Sequence, residues 1–221
     1  MTIFLGFRTN DLAFGFIDSV SFSLDLKERN TSQPKLWGMK NYFLSIASVG
    51  RLVHNEAGQR LNSSLCDELD RLSLNLDQMI KFIQEKHDYH YNREVKDGAS
   101  SSLIIFGYDT SSGPFMCESR CKSDIRELNN IEENELLSVG INHDQYRAAG
   151  LEIFKKELDN NTLDLRDWMA PTFEEVNSGE FVSYPLIYTL YAPNERVSGA
   201  IHHENFFPRE EALVIQLTHL S

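Results

Sequence analysis

Two short apolar-rich runs open the chain, TIFLGF and LAFGFIDS. The polar turn RTND between them makes the pair read as a β-hairpin. VSFSLDL then alternates apolar and polar residues at period two, as a half-exposed strand does. After the polar stretch KERNTSQP, KLWGMKNYFLSIAS supplies a second pair of strand-like runs. The period then changes. In SSLCDELDRLSLNLDQMIKFIQEKH, Leu65, Leu69, Leu72, Leu76, Met79, Ile80 and Ile83 fall on one helical stripe, and Asn62-Ser63-Ser64 offers N-caps. HDYHYNREVKDGAS reads as the loop that ends this helix. SSLIIFGYDTSSGPFMCES reads as a hairpin with a Ser-Ser-Gly turn, and ELLSVGI as a further strand.

Helical patterning returns in HDQYRAAGLEIFKKELDNN, with Tyr146, Ala149, Gly150, Ile153, Phe154 and Leu158 inward. TLDLRDWMAPTFEEVN reads as another helix, its first part disturbed or ended by Pro171. The tail is strand-like: EFVSYPLIYTLYA, SGAIHHE and EALVIQLTHL. Runs of strands, helix, strands, helices and strands predict an α+β fold rather than an alternating βαβ one. Two sheets facing each other, with helices on both outer sides, fit this order. Neither a repeat nor a linker divides the 221 residues, so a single domain is expected over 1–221.

Composition narrows the partners. The chain carries 21 basic against 33 acidic residues, a net charge of −12, with no dense Lys/Arg run; it would repel a phosphate backbone, so nucleic acid is not an expected partner. No apolar stretch approaches the ~20 residues needed to cross a membrane. The start lacks a basic n-region, and IFLGF is shorter than a signal h-region. Cys66, Cys117 and Cys121 are few, odd in number and unlike a disulfide framework, which points to a reducing cytoplasm.

Candidate chemistry begins at Thr2. A threonine freed by removal of Met1 carries its own base, since an α-amine with a pKa of about 7.7–8.0 shares the residue with the hydroxyl. Thr2 equally reads as an ordinary strand residue, Asp18 as a turn acid and Lys35 as a solvated lysine after Pro34. His87-Asp88-Tyr89-His90 and His202-His203-Glu204 contain ligand types without complete zinc spacing, so no metal is expected. The first of these segments reads as a polar loop of solvated histidines. In the second, adjacent strand residues point to opposite faces. Cys117 and Cys121 read as hairpin residues rather than a redox motif.

The order of elements, joined to Thr2, Asp18 in GFIDS and Lys35 in KLWGMKNYFLSIAS, resembles the proteasome β-subunit family of N-terminal nucleophile hydrolases, bacterial proteasome-like peptidases included. LIIFGYDTSSGPFMCES is similar to that family's central hairpin, SVGINHDQYRAAGLEIFKKEL to its strand-glycine-helix junction, and EVNSGEFVSYPLIYTLYA to its acidic-x-x-Ser-Gly segment. The resemblance covers nearly the whole chain and implies a four-layer αββα sandwich. It implies a threonine peptidase or amidohydrolase: Thr2 as nucleophile, Lys35 lowering the pKa of the amine, Asp18 orienting Lys35, Ser178 bonding the amine and Glu175 holding Ser178. The backbone near Val49 or Gly50 would form the oxyanion hole. No cofactor is implied. The resemblance further implies a homo-oligomeric ring or spiral admitting peptides or unfolded protein, and leaves open whether an ATPase feeds it.

Departures stand at Glu175, where the family has aspartate, and at Gly140-Ile141-Asn142, where it has Gly-Ser-Gly. They fit an alternative, a structural or assembly subunit without catalysis; joint retention of Thr2, Asp18 and Lys35 favours the enzyme. An unrelated α+β binding protein is the third reading, and two facing sheets would count against it.

Overall fold

The computed structural model describes residues 2–19, 21–22, 29–30, 34–158, 162–176, 185–201 and 214–216. In chain order the elements are β1 (Ile3–Arg8), β2 (Ala13–Asp18), β3 (Ser21–Phe22), β4 (Arg29–Asn30), β5 (Leu36–Gly38) and β6 (Leu44–Gly50). Helices α1 (Leu61–Leu69) and α2 (Leu76–Glu94) follow, then β7 (Ser101–Asp109), β8 (Gly113–Lys122), β9 (Ile125–Asn130) and β10 (Leu137–Gly140). The chain continues with α3 (His143–Leu158), β11 (Thr162–Asp164), α4 (Leu165–Val176), β12 (Leu186–Ala192), β13 (Glu195–Ile201) and β14 (Val214–Gln216).

Two five-stranded sheets dominate, one in the order β10-β1-β2-β12-β13 and the other β5-β6-β7-β8-β9. Every pairing in both is antiparallel. The period-two alternation assigns the faces. Ile3, Leu5, Phe7, Phe14 and Phe16 pack with Tyr146 of α3 and Trp168, Met169 and Phe173 of α4. Trp168 meets Phe7 edge-on at 5.4 Å, and its indole N–H donates to the Gly150 carbonyl at 2.8 Å, so its one polar atom is satisfied in the core. On the second sheet, Ile46, Leu103, Ile105, Cys117 and Cys121 pack with Leu65 and Leu69 of α1 and Met79 and Ile83 of α2. The alternate residues, Phe4, Ile17, Ala47, Val49, Ile104, Phe106 and Met116, form one cluster drawn from both sheets. The two sheets therefore face each other across an apolar layer, which counts against the unrelated binding protein.

Several expectations are corrected. The leucine stripe is two helices, because Asn75 and Gln78 form a reciprocal capping box that restarts the chain at Leu76. Asp70, just past α1, uses its carboxylate to hold the backbone N–H groups of Lys40 and Asn41. Leu72 falls in the break and is exposed. Helix α1 begins after Arg60 without a side-chain cap, so Asn62-Ser63-Ser64 lies inside the helix. HDYHYNRE is no loop: His87, His90 and Tyr91 continue the buried face set by Met79 and Ile83 through the end of α2. Pro171 neither ends nor interrupts α4, which runs on to Val176 with Pro171 on its exposed side. Thr162–Asp164 forms a strand with β14 instead of opening that helix. Strand β9 carries no sequence signal, since it is an almost wholly exposed edge. His202, His203 and Glu204 lie outside the described residues.

Candidate active site

Thr2 leads directly into β1, and its neighbours are fixed by pairing. Ile3 stands opposite Gly140, and the Ile141 N–H donates to the Thr2 carbonyl at 3.0 Å. Gly140 has a φ of +127°, and a Cβ there would lie 2.0 Å from the Thr2 oxygen, so this approach demands glycine. At the other wall β6 ends in Val49 and Gly50. Gly50 has a φ of +78°, and a side chain there would meet the Ser100 carbonyl at 2.4 Å. Thr2, Val49, Gly50, Gly140 and Ile141 thus line one cleft of about 450 Å³, with Ser102, Glu118, Arg120 and His143 completing its walls.

Asp18 and Lys35, seventeen residues apart in sequence, form an ion pair at 2.8 Å with exposures of 0% and 1%. Neither is the solvated residue that its local sequence allows. The second carboxylate oxygen of Asp18 accepts from the Ile3 N–H at 2.9 Å, the amide immediately after Thr2. Burial pushes the Asp18 carboxyl up and the Lys35 ammonium down, while each partner's charge works the other way. The buried Arg60 guanidinium adds to the pressure on Lys35. Lys35 is set from its backbone: its carbonyl accepts from the Ser48 N–H at 2.8 Å and from Asn62 Nδ2 at 2.9 Å. Asn62 also reaches the Ile46 carbonyl at 3.3 Å and is fully buried. Sequence reasoning missed this positioning role, and the only signal was a polar residue on the apolar side of α1.

The remaining expected residues do not all join this arrangement. Glu175 is exposed near the end of α4. Ser178 lies outside the described residues, as does Met1, so the expected contacts to a terminal amine do too. Among the described residues the Thr2 hydroxyl makes no hydrogen bond, to Lys35 or to any other group. No group of three or more His, Cys, Asp or Glu among the described residues is placed to hold a metal ion. No helix among them is long and apolar enough to cross a membrane.

The fold has counterparts in solved structures. The fold is similar to that of Anbu. A Gly-1 mutant of Anbu from Hyphomicrobium sp. strain MC1 superposes with a TM-score of 0.68 at 14% identity, covering 93% of this chain and 89% of that one. Anbu from Yersinia bercovieri, described as an ancestral beta-subunit, gives 0.63 at 14% identity over 92% and 88% of the two chains. The sequence matches no family model. It matches no curated protein either. These findings overturn the expected membership of the proteasome β-subunit family: with 14% identity and no family match, the likeness is one of fold alone. Hydrophobic alternation and helix stripes suffice to hold a fold while most side chains differ.

Proposed function

We propose that the chain is an N-terminal threonine hydrolase that cleaves peptide or related amide bonds after removal of Met1. The observation that carries this reading is the buried Lys35–Asp18 pair, tied through the Ile3 N–H to the residue that lines the cleft. In the proposed reaction the free α-amine of Thr2 accepts the hydroxyl proton. Oγ1 then bonds to the substrate carbonyl carbon, the C–N bond breaks and the leaving amine takes the proton. Water hydrolyses the resulting ester and restores the hydroxyl. The Lys35 cation disfavours a second positive charge at the amine and so keeps it neutral. Asp18 supplies the countercharge that a buried ammonium requires. Backbone N–H groups near Val49 and Gly50 would meet the developing oxyanion, with Ser178, backed by Glu175, orienting the amine. No cofactor enters.

The three apolar clusters support an αββα stacking of one domain. The description of a neighbour as a beta-subunit supports a homo-oligomer; the proposed reaction has it admit peptides or unfolded segments, and the three free cysteines support a reducing cytoplasm. The second reading is a structural subunit without catalysis. The Thr2 hydroxyl, which no group among the described residues holds, favours it, although catalytic hydrogen bonds often tighten only once substrate is bound.

Intact mass spectrometry before and after exposure to a peptide epoxyketone tests the proposal. The expected result is a chain lacking Met1 that gains one probe mass, with hydrolysis of fluorogenic peptides at pH 7–9. Thr2→Ala should abolish both labelling and hydrolysis with unchanged thermal unfolding. Hydrolysis that survives Thr2→Ala would place the chemistry elsewhere. A Met1-free, folded protein that neither labels nor hydrolyses would establish the structural reading.

A further inference from the structure

The cleft holds a carboxylate that the proposed reaction does not use. Strand β8 turns Cys117 and Cys121 toward α1 and α2 and Met116 toward the first sheet. Glu118, by the same alternation, faces the space between the sheets, where the apolar layer opens into the cleft that Thr2 also lines. It is only 8% exposed. One oxygen, Oε1, accepts from the Ser102 hydroxyl on the adjacent β7 at 2.6 Å, and Ser102 is itself buried and lines the same cleft. Among the described residues Glu118 has no cationic partner, and its other oxygen makes no hydrogen bond and is not sealed from the cleft.

A carboxylate held this deep by one neutral hydroxyl carries a desolvation cost that a cation arriving in the cleft would offset. Arg120 stands on the same face two residues further on, but is partly exposed, so water screens its charge more. Glu118 is the more buried of the two, in a lower effective dielectric, so its charge acts more strongly on a group that enters the cleft. We infer that Glu118, fixed by Ser102, is a specificity residue that selects bound segments carrying a lysine or arginine side chain. The inference rests on the hydrolase reading for the cleft being the substrate's entrance, and it adds the class of side chain accepted.

Binding to the full-length Thr2→Ala protein separates this inference from catalysis. Three N-acetylated, C-amidated peptides identical except for one central residue (lysine, norleucine or glutamate) carry charge only at that side chain. At low salt the lysine peptide should bind about tenfold tighter than the norleucine one, the scale of a hydrogen bond to a charged group. The glutamate peptide should bind weakest. Adding Glu118→Gln should bring lysine and norleucine within about twofold of each other. Ser102→Ala, which leaves the carboxylate but releases it, should reduce the preference without erasing it, and serves if Glu118→Gln does not fold. Equal binding of lysine and norleucine, a preference that survives Glu118→Gln, or no binding of any peptide would overturn the inference. Epoxyketone labelling of the Met1-free wild type decides the hydrolase reading independently.

Discussion

Two buried polar clusters in this molecule solve the same problem in opposite ways. Lys35 and Asp18, behind Thr2, keep a positive and a negative charge out of water by placing them 2.8 Å apart. His87, on the face of α2 that packs against the second sheet, is also fully buried but faces two serines, with Nδ1 3.0 Å from Ser119 Oγ and Nε2 3.0 Å from Ser101 Oγ. Burial first, and then the Arg126 charge, lower its pKa to about 4, so it is neutral at pH 7. One cluster is held by charge and the other by the absence of charge. Only the charged cluster reaches the cleft, through the Ile3 N–H beside Thr2. The difference separates a group that can set a field at a reacting atom from one that joins a helix to a sheet.

The largest effect should come from breaking the charged pair. Lys35→Ala leaves Asp18 as a buried carboxylate without its cation and should cost roughly 3–5 kcal/mol of unfolding free energy, read from urea midpoints. The double variant Lys35→Met/Asp18→Asn should cost clearly less than the sum of its single changes, because no charge is then stranded. Additive losses would show that the two groups do not depend on each other. On the proposed mechanism both proteins are inactive, so regained stability without regained hydrolysis would assign Lys35 its electrostatic role.

The neutral cluster should respond to pH rather than to a partner. Unfolded, His87 titrates near 6.5; folded, near 4. Between these values the unfolded chain binds the proton that the folded one refuses, so stability falls as pH drops from about 6.5 to about 4 and the term is constant outside that window. The full term is about 3 kcal/mol. Urea midpoints at pH 7.5 and pH 5, compared between wild type and the non-titrating His87→Gln, isolate it from the carboxylates. Equal pH slopes in the two proteins would show that His87 is charged or accessible in the folded state.

The sequence made the frame legible where short apolar runs are bounded by turn residues. Ile3, Phe4, Leu5 and Phe7 are all apolar and buried, on both faces of β1, and that run was enough to give the strand but not which residues meet the helices and which the second sheet. Apolar runs could not give β9, whose residues are exposed on nearly every position and so carry no period. The helix stripe failed at Leu72 because a capping box three residues later resets the phase, and apolar spacing does not see caps. His87 was misplaced because a buried histidine looks polar until its hydroxyl partners, 14 and 32 residues away, are known. At the site, Asp18 and Lys35 were reached through a resemblance of order. Lys35 is held by the Ser48 N–H of β6 and by Asn62, and Asp18 ends β2 against β12, partners that the residues beside Asp18 and Lys35 in sequence do not announce. Glu118 was legible only as one residue of a hairpin, because nothing in that run says which face of β8 meets the other sheet.

The smallest effects lie inside the neutral cluster, and they should be unequal. A neutral imidazole has one N–H donor and one acceptor nitrogen, and serine hydroxyls adapt to either tautomer. Ser101→Ala removes the partner of Nε2, where the described structure offers no replacement, and should cost about 1–2 kcal/mol. Ser119→Ala removes the partner of Nδ1, but Cys121 Sγ lies 3.6 Å from the same nitrogen and can supply a weak S–H donor. That change should cost no more than about 1 kcal/mol, and most of it should return if Cys121 is exchanged for serine in the same chain. Thermal unfolding of the three variants orders them. A Ser119→Ala loss as large as that of Ser101→Ala would mean that the thiol gives no support and that the two serines hold His87 symmetrically.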